Sequence, residues 1–238
     1  MKKVFLLTCV LLYSIFADVN YKKEASLYAE FLVIGRAEVA RSLKKYHIND
    51  EKRAYKGFES SVFISAINNT FKAKTGIDIL EGKGDVDRVT IDNLKILLDA
   101  SKKIVDESQG VINMAGVGFK GFIPASYGKY VGDILEEKRG IRLKQTSDKL
   151  RNIYNAPDEF EKLSMIQMKL DKPVAGSYVI KETINSYRLL RPIYIQKECL
   201  KCHGSPKGEK DITGRIKEGY KLGELRGLIS ISIPKRIN

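Results

Sequence analysis

The chain has 238 residues, and its 42 Lys and Arg against 29 Asp and Glu give a formal net charge of +13 at pH 7. The basic residues are scattered and no arginine-rich aromatic platform occurs, so the composition argues against a nucleic-acid partner. A positive surplus of this size favours an acidic protein partner or an anionic lipid surface. The length is sufficient for one sizeable core, or for a core with a helical annex.

The first 17 residues predict a cleavable secretory signal peptide. Lys2 and Lys3 form a positive start, the uncharged run Val4–Phe16 follows, and Ala17 suits a cleavage site. The run is shorter than the roughly 20 residues that a membrane span needs, so an uncleaved anchor is the weaker alternative. A lipoprotein is disfavoured because Cys9 comes very early. No later stretch approaches the length of a membrane span, so we expect a soluble, periplasmic mature chain.

Two helices are predicted in the N-terminal half. Apolar residues at helical spacing predict a helix at Tyr21–Tyr46, and a second such stripe predicts a helix at Thr90–Ser108. Both belong to a predicted N-terminal helical region, residues 18–110, which precedes a second domain at residues 111–238. No linker rich in Pro, Gly or Ser separates the two regions.

An internal repeat with an offset of 64 residues connects these parts of the chain. In the first copy, an Ile-Asn pair is followed by a Lys-Gly-Phe element and then by a Gly-Ile pair. The two copies are Ile48-Asn49, Lys56-Gly57-Phe58 and Gly76-Ile77, and Ile112-Asn113, Lys120-Gly121-Phe122 and Gly140-Ile141. Matches at one fixed offset accumulate slowly by chance, so we predict two copies of a helix–turn–helix–turn unit. Coincidence in a sequence rich in Lys and Gly is the alternative.

The last third of the chain is rich in β-forming residues. The runs Ser177–Ile184 and Tyr187–Ile195, separated by Asn185-Ser186, predict a hairpin. A third strand is predicted at Leu225–Ile233, and Pro234 ends it. Helices followed by an antiparallel sheet make an α+β domain.

A five-residue string lies between the second and third predicted strands, Cys199-Leu200-Lys201-Cys202-His203. This CxxCH spacing is typical of c-type haem attachment, in which the two thiols bind the porphyrin and the adjacent histidine binds the iron. The mature chain has no other cysteine, so no structural disulfide is expected. Two alternatives remain, a structural zinc site, which needs four ligands, and a thioredoxin-like dithiol at the start of a helix.

Four further residues are candidates for the surroundings of such a haem. His47, the only other histidine, and Met114, in a turn rich in glycine, are candidates for the second axial iron ligand. Arg151 and Arg191 are candidates for pairing with haem propionates, since a guanidinium binds a carboxylate through two hydrogen bonds. For Arg151, a role within a local turn is an equal alternative, and for His47 the alternative is a surface position.

The segment from Phe119 to Pro234 resembles a family of periplasmic c-type haem domains with a PAS-like fold, long catalogued as a domain of unknown function. The elements that match are Phe119–Ala125, Leu150–Glu161, Arg191–Ile193, Glu198–Pro206, Gly219–Tyr220 and Gly223–Gly227. The resemblance implies a five-stranded antiparallel sheet with flanking helices and a haem against one face. Some relatives stand alone, and others are the sensing halves of histidine kinases and chemoreceptors. Some stand-alone relatives use a cysteine as second axial ligand, which this chain lacks.

We therefore expect an α+β, PAS-like protein with an N-terminal helical extension, exported and carrying one covalent haem c. Its expected function is periplasmic electron transfer or redox reporting, with a redox partner protein or membrane-bound receptor and the c-haem maturation machinery as partners. The alternatives are a haem-based gas or redox sensor subunit that signals to a membrane partner, and a haem-free periplasmic binding module. The sequence has no nucleophile with a matching base and no phosphate-binding loop, so we expect no enzymatic activity.

Overall fold

The computed structural model describes residues 2–235, with side chains described from residue 21 onward. The helices of this part of the chain are α1 (Lys2–Lys45), α2 (Ser60–Thr75), α3 (Arg88–Ile112), α4 (Pro124–Arg139), α5 (Glu159–Asp171) and α6 (Leu200–His203). The strands are β1 (Arg142–Thr146), β2 (Val179–Glu182), β3 (Ser186–Tyr194) and β4 (Leu225–Pro234). The predicted signal peptide, residues 1–17, lies in the part of the chain whose side chains the structure does not describe. Within the described residues, no helix is long and apolar enough to cross a membrane.

The first four helices form two copies of one unit, as the sequence repeat predicts. Helix α2 begins at Ser60 and α4 at Pro124, so the two helices start and end 64 residues apart. Each helix ends in a glycine with left-handed backbone, Gly76 at φ 75° and Gly140 at φ 66°. A side chain would be strained in that conformation, which explains why glycine occurs at the same place in both copies.

The two copies are joined by reciprocal hydrogen bonds. The backbone N–H of Lys120 donates to Asn49 Oδ1 at 3.1 Å, and the backbone N–H of Lys56 donates to Asn113 Oδ1 at 2.9 Å. In each copy, the lysine ammonium also donates to the carbonyl of the residue that follows the asparagine. The asparagines and lysines of the repeat therefore hold the turn after α1 against the turn after α3.

Replacing Asn113 with alanine is expected to lower the free energy of unfolding by about 1–2 kcal/mol, because a half-buried N–H loses its acceptor. Asn49→Ala should cost a similar amount, since it removes the equivalent bond. Urea unfolding followed by circular dichroism measures both values. Asn69→Ala, at an exposed position of α2, is the control and should change stability by less than about 0.5 kcal/mol. Losses no larger than that of the control would contradict a structural role for the pair.

The sheet is antiparallel, with the strand order β1-β4-β3-β2. On one face, apolar side chains of β4 such as Ile229 and Ile231 join the core formed by the first four helices. On the other face, Leu228 packs with Met165 and Met168 of α5. Helices therefore cover both faces, which confirms the predicted α+β class with an antiparallel sheet and flanking helices, as in PAS-like domains.

Two details of the sheet differ from expectation. The resemblance implied five strands, whereas the described part of the chain forms four. The segment between β1 and β2 contains α5, and a capping box between Asp158 and Glu161 fixes the start of this helix. Strand β1, which was not predicted, pairs with β4 along its whole length. The domain division predicted after residue 110 falls near the end of α3 and stays a prediction.

Candidate functional site

The CxxCH string begins where β3 leaves the sheet. Ile195 still pairs with the segment before β4, through two backbone hydrogen bonds of 2.9 Å. A 3-10 turn, Lys197–Cys199, then leads into α6, so the string forms a single helical turn. Gly204 ends this turn, and a Cβ there would lie 2.6 Å from the Leu200 carbonyl oxygen. Glycine therefore allows the chain to turn away directly after the histidine.

The two cysteines of the string are free and half-buried. Cys199 and Cys202 are three residues apart on a helical turn, a spacing that brings side chains to the same face. Burial, and after it the nearby Asp211 carboxylate, raise the pKa of the Cys202 thiol. The Cys202 thiol is therefore neutral at neutral pH, and both cysteines are free for covalent attachment. Among the side chains that the structure describes, no cluster of three or more His, Cys, Asp or Glu residues has the arrangement of a metal site.

The histidine of the string is oriented by a carboxylate. His203 Nδ1 lies 2.9 Å from Glu218 Oε2, and the His203 carbonyl accepts a 2.8 Å hydrogen bond from the Tyr220 N–H. Burial, followed by the positive charge of Arg226, lowers the pKa of His203 against the opposing influence of Glu218. A neutral imidazole with Nδ1 engaged has Nε2 left for a metal, which is the usual state of a ligating histidine.

Arg151 connects this carboxylate to the rest of the site. Its guanidinium donates to both oxygens of Glu218, at 2.6 and 2.7 Å, to Asp211 at 2.6 Å, and to the Cys202 carbonyl at 2.6 Å. Burial alone would raise the pKa of Glu218, but the hydrogen bonds from Arg151 and His203 lower it. For Asp211, bonds from Thr213 and Arg151 likewise outweigh burial, and its pKa is about 2. Both carboxylates are therefore ionised at neutral pH.

Comparison with known proteins places the chain in a family. A family model described as Tll0287-like matches residues 17–234 of the 238. The chain belongs to the Tll0287-like family. This match confirms the resemblance inferred from the C-terminal half, and it also takes in most of α1 and the helices that follow it.

One solved structure is similar to this Tll0287-like chain, the crystal structure of the cyanobacterial haem protein Tll0287. The sequence identity is 19% and the TM-score is 0.43, and the match covers 62% of this chain and 98% of that chain. No curated protein matches the chain.

The structure brings some of the predicted site residues of this Tll0287-like chain together and separates others. Arg151 lies within the site, as described above. Arg191 instead pairs with Glu30 of α1 at 2.6 Å, so it ties β3 to the first helix. His47 lies in the turn after α1 and Met114 in the turn after α3, where half of its side chain is exposed. Ligation by His47 or Met114 and propionate binding by Arg191 stay predictions.

Two carboxylates, Glu218 and Asp211, and two cations, Arg226 and Arg36, were not predicted from the sequence. Glu218 immediately precedes Gly219-Tyr220, one of the elements that match the haem-domain family. This position was the one feature of the sequence that could have indicated Glu218. Arg226 lies 3.5 Å from Glu218 and stacks over Tyr220, with its guanidinium carbon 5.5 Å from the ring centre. Arg36 of α1, on which Cys199 and Arg226 act electrostatically, was missed because the helical spacing of apolar residues predicts which residues are buried, not which distant groups they approach.

Proposed function

We propose that this chain binds one haem covalently through Cys199 and Cys202, with His203 as an axial iron ligand. The observation that carries the proposal is the donor set on α6, two free thiols followed by an imidazole whose Nδ1 is held by Glu218. These groups fit c-type haem, because the porphyrin needs two thiols and the iron needs a neutral imidazole nitrogen. Family membership supports it as well, since Tll0287, from which the family takes its name, is a haem protein.

The function that this site favours is electron transfer or redox reporting outside the cytoplasmic membrane, without enzymatic activity. Haem supplies an iron that cycles between two oxidation states. The chain's own residues hold the imidazole in place, through Glu218 and Arg151, and surround it with a fixed set of charges. Export is part of the proposal, because c-type haem is attached to reduced thiols beyond the cytoplasmic membrane. An acidic redox partner would suit the chain's net charge of +13.

Covalent haem is expected when the chain is produced with the c-haem maturation machinery. Its mass should exceed that of the polypeptide by one haem, and the pyridine haemochrome spectrum should be that of a two-thioether haem. The double variant Cys199→Ala/Cys202→Ala should lose all covalent haem, whereas Lys201→Ala, an exposed position between them, should keep it. Wild-type protein that is colourless after maturation would exclude the proposal.

Carbon monoxide provides a second measurement on the same material. If both axial positions are held by tight protein ligands, as electron transfer favours, adding carbon monoxide to the reduced protein should leave the Soret band unchanged. A large shift would show an open or labile position, and the gas-sensor alternative would then replace electron transfer.

A further inference from the structure

Arg36 of α1 is a partly buried cation, and one of its nitrogens has no partner among the described residues. Its Nε atom is shielded from solvent and has no hydrogen-bond partner. Burial lowers the pKa of Arg36 to about 10, and Cys199 and Arg226 are the charged or ionisable groups that act on it. Arg36 is therefore close to the CxxCH string, on the helix that packs against β3 and β4.

Carboxylates of the site and of helix α1 are engaged with groups other than Arg36. Glu218 is bound by Arg151 and His203, and Glu38, two residues further along α1, pairs with Arg41. Glu30, on the same helix, is shared by a lysine and Arg191. The positive charge of Arg226 adds repulsion rather than compensation. Among the described side chains, no ion pair joins Arg36 to a carboxylate.

A buried guanidinium nitrogen without a partner is costly, because its lost hydration is repaid only by a hydrogen bond to an acceptor. Native proteins bury arginine almost only where it is paired. We propose that Arg36 binds a carboxylate of the haem, one of its two propionates. The inference rests on the proposed function and adds a residue that the sequence analysis did not single out. Arg151 and Arg191, the partners predicted from the sequence, have protein carboxylates instead.

The guanidinium is well suited to this role, since its planar fork matches a carboxylate with two parallel hydrogen bonds. A lysine at the same place would keep the positive charge but could not form the two parallel hydrogen bonds. Arg36→Gln removes the charge and Arg36→Lys keeps it, so the two substitutions separate the effect of the charge from that of the paired hydrogen bonds.

The test uses haem-bearing protein and two readouts, the reduction potential and the propionate bending band in the resonance Raman spectrum. Arg36→Gln should lower the equilibrium constant for reduction about tenfold, because a positive charge near the iron stabilises the ferrous state. For a one-electron couple, tenfold is about 59 mV. Arg36→Lys should keep nearly the wild-type potential and still shift the propionate band. Lys44→Gln, at an exposed lysine of the same helix, is the control and should change neither readout.

The outcomes separate this inference from the proposed function. Wild-type protein without haem would contradict the proposed function itself. Haem-bearing Arg36→Gln with wild-type potential and an unshifted propionate band would overturn the inference alone, even if its thermal stability changed. If Arg36→Gln fails to fold, the propionate band of Arg36→Lys decides, because that variant keeps the charge. An unshifted band in Arg36→Lys would then overturn the inference.

Discussion

Replacing Arg151 with methionine is expected to lower the free energy of unfolding of the haem-bearing protein by about 3–5 kcal/mol. The Arg151 side chain is 16% exposed, and it is the main partner of two carboxylates, Asp211, with no exposed side-chain surface, and Glu218, which is 12% exposed. Removing the cation leaves both charges desolvated. It also deletes the donor to the Cys202 carbonyl, a bond that ties the string to the segment after β1. Urea unfolding followed by circular dichroism gives the value.

The matched control is the same substitution at an exposed pair. Arg142 lies 3.2 Å from Glu136, with about half of each side chain exposed, and such pairs contribute only about 0–1 kcal/mol. Arg142→Met should therefore be nearly neutral. The double variant Arg151→Met/Asp211→Asn should lower the free energy of unfolding by less than the sum of the two single variants, because the unpaired Asp211 charge is gone. If Arg151→Met and Arg142→Met lower the free energy of unfolding equally, the cluster of Arg151, Asp211 and Glu218 is not desolvated.

The sequence was sufficient to predict the elements whose pattern is local. Both N-terminal helices follow from the helical spacing of apolar residues, and β2, β3 and β4 follow from runs of β-forming residues. The repeat at a fixed offset predicted even the paired helix ends at Gly76 and Gly140. Strand β1 was missed because Leu143 is its single aliphatic residue, so its alternation is weak. Its partner, β4, supplies the apolar surface that makes it a strand.

Most of the site could not be predicted, because its residues meet only after folding. Arg151 and Glu218 are 67 positions apart in the chain, and Arg191 and its partner Glu30 are 161 positions apart. No local pattern carries such pairings. The CxxCH string could be predicted because covalent haem attachment requires residues that are adjacent in the sequence. The groups that surround the string come from distant parts of the chain and leave no such pattern. Arg36 illustrates the difference, since it looks like any polar residue in an amphipathic helix.

Replacing Glu218 with glutamine is expected to raise the equilibrium constant for haem reduction about tenfold, which is a rise of about 59 mV in reduction potential. A carboxylate that accepts the Nδ1 proton makes the imidazole of His203 a stronger donor and favours ferric iron. An amide of the same shape is a weaker acceptor, because charge-assisted hydrogen bonds are about twice as strong as neutral ones. Potentiometric titration of haem-bearing protein measures the shift.

Two controls separate the hydrogen bond from the charge that it carries. Asp211→Asn removes one negative charge from the same cluster but none of the bonds to His203, so its shift should be clearly smaller than that of Glu218→Gln. Glu209→Gln, at a mostly exposed residue of the same loop that pairs with Lys217 at 3.4 Å, should leave the potential unchanged. Equal shifts for Glu218→Gln and Asp211→Asn would contradict a specific role for the hydrogen bond.

The direction of this shift is as informative as its size. Glu218→Gln removes a negative charge and weakens the imidazole donor, and both changes favour ferrous iron. Arg36→Gln removes a positive charge, so its shift has the opposite sign. A general loosening of the site, with more water around the iron, would move both variants in the same direction. Opposite signs would therefore indicate that these two side chains act on the haem through their own charges and hydrogen bonds.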